Sequence, residues 1–138
     1  MSENVLSPNA SVDRPSLGAV VARWIPRLAV AGILGMGAVT KFFMYTPDGS
    51  MALAEAMGVG RGVILLIGTV ELTAVVLILI PRRHLLGAFL AVGTMGGALF
   101  THATKIGWSG NAAAEMWPLA LVALLAASSV IGLHFLRR

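Results

Sequence analysis

Cysteine is absent from this 138-residue chain. That excludes structural disulfides, thiol relays and iron–sulfur ligation by this chain alone. Charge is scarce as well, at 12% of residues, with six acidic side chains against ten basic ones. A chain that is 57% hydrophobic, with mean hydropathy +0.87, is not a soluble globular domain; it reads as a small polytopic membrane protein. The basic residues are too few and too scattered for a nucleic-acid surface. The net charge of +4 is instead the loop charge of a membrane protein. The length allows one bundle and leaves no room for a sizeable soluble domain.

What the chain does have is apolar runs. The clearest is GVILLIGTVELTAVVLILI at 62–80, interrupted only by Glu71. As a helix it covers roughly 28 Å, close to the hydrocarbon thickness of a bilayer. Arg61 bounds it on one side and Pro81-Arg82-Arg83 on the other. Three further runs complete an all-α, four-transmembrane-helix bundle with spans at about 25–45, 62–80, 85–104 and 115–136. Residues 1–16 are polar, contain Pro8 and Pro15, and read as a disordered tail. The membrane domain then occupies 17–138. It opens with a short amphipathic turn over 17–24, capped by Ser16, and Pro26 starts or kinks the first span. A signal peptide is disfavoured, because no small-x-small cleavage site follows the run at 28–40. The loop at 46–61 carries one or two helical turns, capped by Ser50 and ended by Gly58.

Four spans bring both termini to one side. Arg14, Arg23, Arg27, Arg82, Arg83, Arg137 and Arg138 fall there, against Lys41, Arg61 and Lys105 on the other side. A bias of seven to three predicts cytoplasmic termini. The expected location is the cytoplasmic (inner) membrane of a bacterium. Tyr45, Trp108 and Trp117 then mark the outer interface and Trp24 the inner one. The Gly93-x-x-x-Gly97 spacing predicts close helix packing, within the chain rather than as a dimer motif, since four spans already offer partners. Gly58-x-Gly60-x-Gly62 is no phosphate loop, since no strand precedes it and no Lys-Ser/Thr follows.

A carboxylate at the depth of Glu71 needs a partner, a proton or a wet cavity. Two other ionisable residues fall within spans on the outer half, Lys41 and His102. Helical spacing puts Glu71 on a face with Gly68 and Ala74, Lys41 with Gly37 and Ala38, and His102 with Ala98, Met95 and Ala91. These small-residue faces pack against other helices, so all three side chains are expected to point inward. Lys41 lies about 6 Å below the outer boundary, His102 about 9 Å and Glu71 about 15 Å, and side-chain lean closes much of the gap. The expected site has Glu71 binding or relaying a proton, Lys41 as counter-ion and a titrating His102. The competing reading is a buried Lys–Glu pair with a hydrogen-bonded histidine that fixes helix register. Thr101 and Thr73 are weaker ligand-binding candidates, because threonine in a span usually bonds its own backbone.

No metal site is expected. His84, His102 and His134 do not share a depth, and a bis-histidine haem between His84 and His134 is the disfavoured cofactor reading. Asp48 and Glu55 read as solvated loop charges, and Glu115 as a residue favourable to its helix dipole.

Gly37-x-x-x-Lys41, then VELTAVVLILIPR, then LLGAFLAVGTMGGALFTH ending at His102, resembles the DoxX-like membrane proteins. The resemblance runs from about Arg23 to the C-terminus. It implies a four-helix membrane bundle, with Lys41, Glu71 and His102 at the motif positions. It also implies a link to quinone-dependent membrane redox complexes. Three functions follow as expectations. The first is a quinone- or small-molecule-binding subunit of a membrane redox system, dependent on a partner subunit. The second is a non-catalytic scaffold or anchor for a partner protein. The third is a small transport or proton-conducting module, which the lack of an inverted repeat disfavours. The bilayer is the partner common to all three, and a homo-oligomer is compatible with each.

Overall fold

The structure is a computed structural model and describes residues 16–110 and 113–136. It is all-α, with five helices and no strand among the described residues. They are α1 (Leu17–Phe43), α2 (Ser50–Met57), α3 (Arg61–Leu79), α4 (His84–Thr101) and α5 (Trp117–Phe135). A π-helical segment, His102–Ile106, continues α4, and one 3₁₀ turn, Ala114–Met116, precedes α5. Leu17–Phe43, Arg61–Leu79, His84–Ile106 and Ala114–Phe135 are each long and apolar enough to cross a membrane. The chain is a multi-span helical membrane protein. The expected tail lies outside the described residues except for Ser16.

Two helix boundaries differ from expectation. The amphipathic turn and the first span are one continuous helix. Ser16 caps it, its Oγ accepting from the Ala19 N–H at 3.3 Å, and Pro26 lies inside. Proline there removes the hydrogen bond to the Ala22 carbonyl without ending the helix, a defect that membrane helices tolerate. In α2 the capping position is Gly49, and Ser50 is already helical. The Ser50 hydroxyl donates to the Met44 carbonyl at 3.2 Å and ties α2 back to the end of α1. Gly58 ends α2 in the left-handed conformation (φ 69°), and the Val59 N–H closes on the Ala54 carbonyl.

The packed pairs are α1 with α3, α3 with α4, α4 with α5, and α5 with α1, so the four spans close a ring. The Pro81-Arg82-Arg83 turn makes α3 and α4 an antiparallel hairpin, its Arg83 N–H donating to the Ile80 carbonyl at 3.0 Å. Val30, Leu34, Ala74, Ile78, Ala91 and Ala127 lie in the shared core. Alanine dominates the inner faces of α4 and α5, as expected where close backbone approach replaces the hydrophobic drive. Gly87 is the tightest point. A Cβ there would stand 2.8 Å from the Ala74 carbonyl oxygen and would meet the Ile78 backbone. At the opposite end of the bundle α2 packs as a lid, with Leu53, Ala56 and Met57 against Ile106, Ala113 and Ala114.

Candidate functional site

Lys41 and Glu71 meet across α1 and α3. The Lys41 Nζ donates to Glu71 Oε1 at 2.9 Å and to Oε2 at 2.8 Å, and a third bond of 3.3 Å goes to the Gly37 carbonyl. All three donors of the ammonium are thereby used. Both side chains are buried, with 8% and 4% of Lys41 and Glu71 exposed. In hydrocarbon neither charge could stand alone, so each accounts for the other.

Two glycines make room for the pair. A Cβ on Gly37 would lie 3.2 Å from Glu71 Oε2, so the carboxylate rests where α1 has no side chain. A Cβ on Gly68 would lie 3.2 Å from the Lys41 Cβ and from the Phe42 ring, so α1 likewise rests on α3 where α3 has none. The Gly37-x-x-x-Lys41 and Gly68-x-x-Glu71 spacings are therefore one device. Each charged residue sits about one turn beyond the glycine that admits its partner's helix.

His102, 5% exposed, is held differently. Its Nδ1 lies 2.9 Å from the Ala98 carbonyl and its Nε2 3.0 Å from the Ala113 carbonyl. A carbonyl oxygen only accepts, so a neutral ring satisfies one of these contacts and an imidazolium satisfies both. The ring stacks on Trp108 (6.1 Å, 28°), which meets Trp117 edge-on at 5.6 Å. His102 thus ties the end of α4 to the segment that leads into α5. Its hydrogen bonds are to backbone, and none joins it to Lys41 or Glu71.

What unites the three residues is a cavity of about 610 Å³ between the spans, roofed by Leu53 and Met57 of α2. Lys41, Glu71, Thr101 and His102 all line it, on walls otherwise mostly apolar. Thr73 is exposed on the outside of α3 and takes no part. The hydroxyls of Thr101 and Thr73 donate to the carbonyls of Gly97 and Thr69, each at 2.8 Å. Met36 and Leu66, 58% and 63% exposed, belong both to the cavity wall and to the outer surface of the spans. The cavity therefore communicates with the lipid-facing side of the bundle.

Gly93 and Gly97 depart from expectation. Neither has any atom within 4 Å of where a Cβ would stand, and both line the cavity. Their spacing leaves volume open; the close approach occurs at Gly87. Sequence reasoning also missed the α2 lid, although the apolar positions Leu53 and Met57, one turn apart in a loop, were a legible signal.

Among the described residues no group of three or more histidine, aspartate or glutamate side chains converges to hold a metal. The fold and site define a class: a four-span helical membrane protein with a buried ion pair in the wall of an intramembrane cavity. Compared with protein-family models, curated proteins and solved structures, the chain finds no match.

Proposed function

We propose that the chain binds a lipophilic small molecule of the quinone class, as a subunit of a membrane redox system. The observation that carries this reading is the cavity of about 610 Å³, apolar-walled and open toward lipid, with one ion pair and one histidine in its wall. Such a combination suits a hydrophobic ring bearing a few hydrogen-bonding oxygens. A quinone carbonyl beside Lys41 would take over the donor now spent on the Gly37 carbonyl, the longest of the three bonds at 3.3 Å, and Glu71 and His102 are the groups able to exchange protons with a reduced ring. Electrons would come from a partner subunit, since thiol and iron–sulfur relays are excluded by the lack of cysteine. The resemblance of the Lys41, Glu71 and His102 motifs to DoxX-like proteins points the same way. The reading includes a place in a bacterial cytoplasmic membrane with both termini inside.

The test is titration of the detergent-purified chain with a short-chain benzoquinone, followed by quenching of tryptophan fluorescence. Trp108 lies against His102, beside the cavity, so an occupied site should quench saturably. Glu71→Gln should weaken binding at least tenfold in protein that remains helical. Quenching that rises linearly without saturation, equally in both proteins, overturns the proposal.

One observation favours a second reading, a non-catalytic scaffold. Every Lys41 donor already has a partner within the chain, and both His102 nitrogens face backbone carbonyls rather than the cavity's open space. A purely structural trio would look the same, and it predicts no saturable quinone binding at all.

A further inference from the structure

At the end of the bundle opposite the α2 lid lies a second cavity, of about 430 Å³. Three helix ends make it: the start of α1 (Arg23, Trp24, Arg27), the α3–α4 turn (Pro81, His84) and the last turns of α5 (Val130, Leu133, His134). We propose that it binds a phosphate group, carried by an anionic phospholipid or free in solution.

Four of the lining side chains are arginine or histidine, and none is acidic. Among the described residues the sole ion pair is Lys41–Glu71, in the other half of the bundle, so Arg23 and Arg27 have no carboxylate partner there. Positive groups gathered without a counter-charge repel one another unless an anion joins them. Their placement is also built. The Arg27 guanidinium lies over the Trp24 ring, 5.6 Å from its centroid, which fixes its direction. The His84 Nδ1–H donates to the Pro81 carbonyl at 2.6 Å, which fixes that ring. His134 meets His84 at 5.4 Å between centroids, tilted by 59°, and meets the Phe135 ring edge-on at 5.4 Å.

The most telling atom is His134 Nε2. It is buried and has no hydrogen-bond partner among the described residues. A buried polar atom left unmet costs on the order of 1–3 kcal/mol, and a small turn of the ring toward the cavity would let it donate to an anion there. A phosphate oxygen accepts from both guanidinium and imidazole N–H groups, and arginine holds it in two-point geometry. The position suits a lipid as well. Ile25 and Leu28, 61% and 57% exposed, flank the arginines on the outer face of α1, where acyl chains would lie. Basic pockets between transmembrane helices are a recurrent way to hold phospholipid head groups.

The experiment is native mass spectrometry of the full chain in non-ionic detergent, with added phosphatidylglycerol or phosphatidylcholine, paired with calorimetric titration of inorganic phosphate. Phosphatidylglycerol should bind at least tenfold more tightly than phosphatidylcholine. Arg23→Gln with Arg27→Gln should abolish that preference. Arg82→Gln with Arg83→Gln removes the same charge from the same end but outside the cavity, and should preserve it. His134→Leu should weaken binding several-fold with thermal stability unchanged or raised, and serves if the double arginine variant fails to fold. Phosphate that displaces the lipid at millimolar concentration assigns the site to the free ion. Failure to displace it assigns the site to the lipid. Equal losses from the two arginine pairs would mean diffuse surface charge and overturn the proposal. So would the absence of both lipid preference and phosphate binding.

Discussion

The Lys41 ammonium holds both carboxylate oxygens of Glu71, at 2.9 and 2.8 Å, across the α1–α3 interface. The pair is more than two charges cancelling. It joins two helices at a depth where neither residue could be ionised alone, and glycines at 37 and 68 let the helices close upon it.

This fixes the outcome of removing either half. Lys41→Met or Glu71→Leu leaves a buried charge without its partner and should destabilise the bundle by about 3–5 kcal/mol. The double variant removes both charges and should recover most of that loss, because apolar side chains of similar volume can fill the space. Thermal unfolding of the four proteins in one detergent measures the coupling. Additive losses in the double variant would mean that the pair does not hold the helices together.

Two glycines in α4 should respond to alanine with opposite signs. A Cβ on Gly87 would press on the backbone of α3 at Ala74 and Ile78, which cannot yield as a flexible side chain would. Gly87→Ala should cost about 1–3 kcal/mol. Gly93 faces open space, so Gly93→Ala should stabilise by about 0.5–1 kcal/mol through helix propensity alone. Melting temperatures of the two single variants decide the matter: no fall for Gly87→Ala would place the tight α3–α4 contact elsewhere, and a fall for Gly93→Ala would mean that the space beside it is filled.

The four spans and the Lys41–Glu71 pair were legible for the same reason. Bilayer physics is nearly local: twenty apolar residues must cross, and a carboxylate among them must find a cation at its own depth. The small-residue faces showed which way Lys41, Glu71 and His102 point. Other features depend on three-dimensional matching that no spacing encodes. Gly93-x-x-x-Gly97 carries a packing motif yet borders a cavity, while Gly87, with no motif, takes the close contact. His102 has its partner in the carbonyl of Ala113, a backbone atom that every residue type offers equally. Pro26 suggests a helix start or a kink, because an interior proline costs an isolated helix a hydrogen bond; the bundle keeps α1 continuous through it.

His102→Phe keeps a ring against Trp108 and removes the ring's polar contacts with the Ala98 and Ala113 carbonyls. The expected effect is local. Amide exchange should quicken in the 3₁₀ turn at Ala114–Met116, with a stability loss of about 1–3 kcal/mol. Because His102 shares no bond with the ion pair, its effect should add to that of Lys41→Met within about 0.5 kcal/mol. Strong coupling between the two would reveal a bridge, such as a ligand or water, spanning the cavity.

Gly93→Leu separates binding from folding. Its Cβ would have nothing within 4 Å, and the rest of the side chain would extend into the cavity of about 610 Å³ that Gly93 lines. Glu71→Gln, by contrast, alters the site and the fold together, and a loss of binding there has two explanations. Gly93→Leu should leave the melting temperature unchanged or raised and lower quinone affinity at least tenfold, by occupying volume rather than by removing a contact. An affinity that survives the substitution would show that the ligand binds outside this cavity, whatever Glu71→Gln had done. A melting temperature that falls sharply would show instead that the space beside Gly93 closes in the folded membrane protein.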